Sequence, residues 1–220
     1  MSIVRSELWQ ALLPPGVIVY ETRDFTPGAP LFDIERAAVA NAVPKRVAEF
    51  AAGRLCARAA LAELGHPNVP LPRAPDRRPL WPEGIAGSIT HTDTYCAAAV
   101  ARDLAGIGID AETLGRVEDA LLRRICTEDE QRRLAALSAT ERASAATLIF
   151  SAKEAFYKCH VSAGGGWLDF HDVALDYTAD SFRVSPQRPF TKSWTGDAPP
   201  IGRYGVNGDT LLCAVAFPAR

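Results

Sequence analysis

No run of eighteen apolar residues occurs in this chain, so nothing in it reads as a membrane-spanning helix. The first residues carry Glu7 and Pro14-Pro15 where a signal peptide needs an apolar core and a cleavage site, which argues against export. Cysteine is sparse and unpatterned: the five residues Cys56, Cys96, Cys126, Cys159 and Cys213 are an odd number, lie far apart and form no C-x-x-C pair. A reduced, cytoplasmic setting is the expectation. An excess of either charge is also missing, since 24 Lys and Arg face 26 Asp and Glu. Without a basic field, nucleic acid is not an expected partner, and any anion site must be local. The 48% hydrophobic and 23% charged content is ordinary for a globular protein. At 220 residues the chain can bury a sizeable core, as one domain or as two small lobes.

The elements follow from periodicity and punctuation. Gly16 to Tyr20 reads as a strand, followed by a Pro/Gly-rich loop through Pro30. Residues 44 to 64 repeat apolar side chains at helical spacing, with Pro44 at the first position and Gly65 as the stop. Arg54 and Arg58 lie one turn apart on that helix. The proline-laden stretch 67 to 81 cannot be a long helix and carries Arg73, Arg77 and Arg78. Residues 88 to 90, 95 to 101 and 104 to 112 read as strands. Thr127-x-x-Glu130 and Ser138-x-x-Glu141 are capping boxes that open helices at 128 to 137 and 139 to 161, the second ended by Gly164-Gly165-Gly166. Strands near 173 to 177, 182 to 185, 202 to 206 and 210 to 217 complete an α+β pattern. Thr94 to Ala99 weakly echoes Thr210 to Val215, which suggests two related lobes joined near residues 102 to 104.

Carboxylates carry the chemistry. In Gly106-Ile107-Gly108-Ile109-Asp110-Ala111-Glu112 the strand repeat puts Asp110 and Glu112 on one face, about 7 Å apart along the backbone. Two carboxylates held about 4 to 5 Å apart repel by roughly 3 to 4 kcal/mol at an effective dielectric near 20, so a chain that keeps them together supplies a counter-ion. Glu154, on a polar helix stripe with Thr147, Ser151 and Lys158, adds a third hard oxygen donor. Such a set suits Mg²⁺, with Mn²⁺ as the alternative, completed by water and phosphate.

Taken in order, these motifs resemble the 4′-phosphopantetheinyl transferases, in particular the single-chain, two-lobed type that activates siderophore, polyketide and other carrier-protein synthases. Residues 53 to 158 carry the resemblance through Gly53-Arg54-Leu55-Cys56-Ala57-Arg58, Arg78-Pro79, Gly87-Ser88-Ile89-Thr90-His91, Gly108-Ile109-Asp110-Ala111-Glu112 and Phe150-Ser151-Ala152-Lys153-Glu154-Ala155-Phe156-Tyr157-Lys158. Phe150 stands where the family often has Trp, and Ala111 where it often has a branched apolar residue; these departures bear on substrate choice, not on the chemistry.

The resemblance implies an α+β fold of two similar lobes, residues 1–103 and 104–220. Each would be a small antiparallel sheet packed on a long helix, the two related by a pseudo-two-fold axis with the active site between them. It implies a monomer that moves the phosphopantetheine arm of coenzyme A to a serine of an apo acyl or peptidyl carrier protein, met transiently. Adenosine 3′,5′-bisphosphate leaves. It assigns the metal to Asp110, Glu112 and Glu154, the diphosphate or leaving group to Lys158, and a further phosphate or entrance contact to Lys153. The 3′-phosphate falls to His91 with Thr90 and Arg78, and Arg54 and Arg58 suit the same anion. Glu130 is one candidate base, with Glu154 or a metal-bound water as rivals.

Simpler explanations stand beside several of these. Glu130 is also the natural capping partner of Thr127. Arg54 and Arg58 equally suit the wet side of a helix, and Glu154 with Lys158 could be a surface i,i+4 pair. A degenerate relative that binds without turnover, or a metal-dependent nuclease or phosphatase, could use a similar set. Arg123, Arg124, Arg132 and Arg133 form a candidate contact patch for the carrier.

Overall fold

The computed structural model describes residues 2–189 and 200–219. The first half runs β1 (Val4–Arg5), β2 (Ile18–Thr22), α1 (Asp33–Ala37), α2 (Pro44–Glu63), β3 (Ala86–His91) and β4 (Cys96–Ala101). Its four strands form an antiparallel sheet in the order β1-β2-β4-β3, and α2 lies across β2 and β4. Pro44 opens α2 with its fixed φ, and Gly65 leaves it at φ +81. The first strand expected at 16 to 20 starts later, at Ile18, because Gly16 turns the chain at φ +89.

The second half runs β5 (Leu104–Thr113), α3 (Asp119–Ile125), α4 (Glu128–Ala135), α5 (Ala139–Ser162), β6 (Val173–Tyr177), β7 (Ser181–Pro186), β8 (Ile201–Asn207) and β9 (Thr210–Pro218). Five antiparallel strands follow the order β5-β9-β8-β7-β6, with α5 packed on β5 and β9. Both capping boxes form as expected: Thr127 and Ser138 accept from the N–H of Glu130 and Glu141 at 3.3 and 3.4 Å, and those carboxylates accept from the cap N–H groups at 2.7 and 3.1 Å. The apolar stripe Leu148, Ile149, Ala152, Ala155, Phe156 and Cys159 is buried in the core of this half. The sequence pattern missed the short helices α1 and α3, whose caps Phe32 and Glu118 are not the usual Ser, Thr, Asp or Asn.

The two halves share a topology. In each, a strand enters a long helix and then pairs with the last strand, which also pairs with the one before it: β2-β4-β3 in the first, β5-β9-β8 in the second. The echo noticed in the sequence falls on the corresponding strands β4 and β9. Between the sheets lies a common apolar layer of Trp9, Leu13, Val19, Ala97, Ala99, Ile107, Ile109, Leu212 and Ala214. Trp9 donates to Tyr95 Oη at 2.7 Å, and Tyr95 donates to Glu21 at 2.6 Å. Side chains stitch the seam as well. Ser88 Oγ and Thr90 Oγ1 on β3 accept from the N–H of Ile109 and Ala111 on β5, at 3.1 and 2.9 Å. Among the described residues no helix is long and apolar enough to cross a membrane.

Candidate active site

Strand alternation sends Ile107, Ile109 and Ala111 of β5 into the shared apolar layer and leaves Gly106, Gly108, Asp110 and Glu112 on the opposite face. The glycines are there because α5 presses on them. A Cβ at Gly108 would stand 1.7 Å from the carbonyl oxygen of Ala155, and one at Gly106 would stand 2.4 Å from that of Cys159. This close approach brings Lys158 of α5 onto the acidic end of β5, where its ammonium donates to Asp110 Oδ1 at 2.6 Å and to the carbonyl of Ile109 at 3.2 Å. Thr90 Oγ1 lies 3.4 Å from the same carboxylate oxygen. Asp110 is buried and its Oδ2 has no hydrogen-bond partner, an orphaned buried carboxylate oxygen.

The acids feel one another. Burial first, then Asp110, pushes the Glu112 carboxyl up to about 7 against the pull of Arg116 and Lys158. Burial also raises Glu154, Lys158 opposing and Asp110 adding. The Lys158 ammonium resists its own burial because Asp110 and Glu154 hold its pKa above the ordinary value. Among the described residues, no three His, Cys, Asp or Glu side chains are gathered closely enough to hold a metal ion as they stand. The donor chemistry nonetheless fits a hard divalent cation: three carboxylates share one neighbourhood, and the buried oxygen of Asp110 is unsatisfied.

Asp110 and Lys158 also line a cleft of about 230 Å³ whose other wall carries the cations Arg46, Arg54 and Arg77 with His91, and Glu49 paired with Arg46 at 3.1 Å. Arg54 is buried, stacks on Phe50 with 4.0 Å from guanidinium carbon to ring centre, and donates to the carbonyl of Leu71. Burial lowers its pKa to about 10, with Glu35 opposing and Arg73, Arg58 and Arg46 adding to the fall. Arg46 Nη1 stands 2.6 Å from His91 Nε2; a guanidinium only donates, so Nε2 accepts and the imidazole carries its proton on Nδ1, facing Glu49 at 3.9 Å. Burial and Arg46 lower the His91 pKa. Three guanidiniums and the Lys158 ammonium thus share one cleft, a donor set whose chemistry suits a multiply charged anion.

Comparison with known proteins decides the family. Residues 34–101 match the 4′-phosphopantetheinyl transferase N-terminal domain, and residues 106–203 match the 4′-phosphopantetheinyl transferase superfamily. The transferase Svp of Streptomyces mobaraensis is 42% identical over 78% of this chain and 72% of its own length. PptT of Mycobacterium tuberculosis is 33% identical over 84% and 77%, and enterobactin synthase component D of Escherichia coli is 38% identical over 59% and 63%. The chain belongs to the 4′-phosphopantetheinyl transferase superfamily.

Within this phosphopantetheinyl transferase, the structure brings Arg54, Thr90, His91, Asp110 and Lys158 together at the cationic cleft, with Glu112 and Glu154 on its flanks. Four residues expected at the site are engaged elsewhere. Arg58 turns away to bind Glu35, both of whose oxygens it reaches at 2.9 Å, and the carbonyl of Pro30. Arg78 pairs with Asp76 and donates to the carbonyl of Val161 at the end of α5, so it fastens a loop to the second lobe. Arg77, whose φ is +75°, lines the cleft in its place. Glu130 and Lys153 form a fully buried ion pair at 2.7 Å. Glu130 is fully buried and spends both oxygens on Lys153 and on the N–H groups of Thr127 and Leu175. Arg46 and Glu49 went unread, although they precede Arg54 by eight and five residues on the same helix; the i, i+4, i+8 row Arg46, Phe50, Arg54 was the signal.

Proposed function

We propose that this transferase seats the 3′-phosphate of coenzyme A among Arg46, Arg54, Arg77 and His91, and holds a divalent cation, Mg²⁺ or Mn²⁺, with Asp110, Glu112 and Glu154. The division of labour follows the two lobes, residues 1–103 supplying the anion contacts and 104–220 the carboxylates. Support comes from one juxtaposition: Asp110 and Lys158 lie on the wall of the cationic cleft, so a diphosphate leaving that cleft meets the acids at once. A cation bound there would polarise the phosphoryl oxygens and neutralise charge that builds during in-line displacement. Lys158 neutralises the departing phosphate from the same side, where its ammonium already bridges cleft and carboxylate. The buried guanidiniums orient the nucleotide end before reaction, which removes that ordering from the barrier. Glu154 lines a second cleft, of about 220 Å³, with Tyr157, Trp167 and Phe170. That cleft faces the acceptor, and with Glu130 sealed in the core the serine proton falls to Glu154.

The carrier-protein serine arrives with its own surface. Arg132 and Arg133 are engaged with Asp129 and Asp176, whereas Arg124 lines the second cleft, so the contact patch centres on Arg123 and Arg124. The test is mass spectrometry of an apo carrier protein incubated with coenzyme A, with Mg²⁺ and with chelator. Asp110→Asn, which keeps a polar partner for Lys158, is expected to abolish arm transfer while melting within a few degrees of wild type. Transfer at the wild-type rate by this variant, or in chelator, would sink the metal assignment.

A further inference from the structure

We propose that Lys153 is a positioning residue for the acceptor side of the reaction, with Glu130 as its partner; the role rests on the reaction assigned above to the neighbouring carboxylates. The Lys153 ammonium donates to Glu130 Oε2 at 2.7 Å, to the Phe170 carbonyl at 2.9 Å and to the Ile125 carbonyl at 3.0 Å. Those three bonds use every donor an ammonium has. Glu130 in turn holds the N–H of Leu175 at 2.7 Å. One buried pair therefore ties the end of α3, the first turn of α4, the segment before β6 and β6 itself to α5, at the residue next to Glu154.

Two of the tied segments are the walls of the second cleft. Arg124 precedes Ile125, and Leu168 and Asp169 precede Phe170; all line that cleft with Glu154. Releasing the ammonium would free both walls while leaving α5 intact, so the width of the opening before Glu154 depends on it. A tetrahedral ammonium meets three separated acceptors that a planar guanidinium cannot. The anion cleft has neither Lys153 nor Glu130 in its wall.

The test uses the full chain with coenzyme A, Mg²⁺ and an apo carrier protein, comparing wild type, Lys153→Arg and the double variant Lys153→Met with Glu130→Gln. Removing both charges of a buried pair is tolerated far better than removing one. The double variant should melt near wild type and bind adenosine 3′,5′-bisphosphate within about twofold. Its KM for the carrier should rise about tenfold, with both limbs of the pH–kcat profile kept. Lys153→Arg should show the same KM rise, which keeps the test open if the double variant fails to fold. Wild-type KM and kcat in a folded variant would reduce the pair to a structural one. Loss of one limb of the pH profile would restore Glu130 as the base, and bisphosphate binding weakened about tenfold would restore Lys153 as a phosphate contact. Wild-type protein that transfers nothing would overturn the proposed function, and this role with it.

Discussion

In each lobe a short helix precedes a long one, and the third residue of the short helix is a fully buried glutamate. Glu35 of α1 accepts from the N–H of its own cap residue Phe32 and from the N–H of Leu71, and pairs with Arg58 of α2. Glu130 of α4 accepts from Thr127 N–H and from Leu175 N–H, and pairs with Lys153 of α5. Short helix, long helix and returning segment are joined through one carboxylate in both cases. The twin devices differ in what stands beside them. Arg58 is absent from the wall of the anion cleft, whereas Lys153 adjoins Glu154 and lines the second cleft. One construction thus stands clear of the clefts in the first lobe and, in the role proposed above, governs access in the second.

Cutting each device on one side should give the largest effects and separate the two. Glu35→Ala leaves Arg58 a buried cation without its partner, and should lower stability to urea by about 3 to 5 kcal/mol. Molecules that remain folded should transfer the arm with wild-type KM for the carrier. A raised carrier KM in this variant would show that the first device also reaches the acceptor side, and the contrast between the lobes would fail.

How much of this could be read beforehand depended on the range of the cause. The Thr127 and Ser138 capping boxes are local and were legible, as was the shared face of Asp110 and Glu112, which follows from the strand repeat. Lys153 sits beside Glu154 in a motif, which does not reveal that its ammonium is spent on Glu130 and two carbonyls. Neighbours on a helix point about 100° apart, and the polar stripe Thr147, Ser151, Glu154, Lys158 already left Lys153 off that face. That Arg77 and not Arg78 lines the cleft depends on loop geometry, including a positive φ at Arg77, which no side-chain pattern reports for a non-glycine residue. Glu35 stayed hidden because Phe32 is no cap signal, and its partners Arg58 and Leu71 are distant in sequence. Gly106 and Gly108 read as motif letters; only the approach of α5 shows why a methyl group cannot be added there.

A smaller effect should sharpen the division between lobes. Arg46 belongs to the first lobe and touches His91 and Glu49, not Asp110, Glu112 or Glu154. Arg46→Ala should weaken adenosine 3′,5′-bisphosphate binding about tenfold, the scale of one charge-assisted bond to phosphate, and leave carrier KM unchanged. Isothermal titration calorimetry checks the first and steady-state kinetics the second. Equal damage to both would mean that the clefts are not separate binding surfaces.

The smallest effect concerns protons. In the free protein, burial and Arg46 hold the His91 pKa below its ordinary value, so near neutral pH the imidazole is uncharged. A phosphate placed against it favours the charged form and raises the pKa in the complex. Binding must then take up a proton wherever the pH lies between the lowered free value and the raised bound one. By linkage, affinity for adenosine 3′,5′-bisphosphate increases as pH falls through the bound-state pKa and levels off below the free-state pKa, with a slope of at most about one decade per pH unit. His91→Gln should flatten this dependence while keeping most of the affinity at high pH, where the wild-type imidazole is neutral in both states. A slope unchanged by the substitution would assign the proton to the phosphate itself and take His91 out of the anion's first contacts.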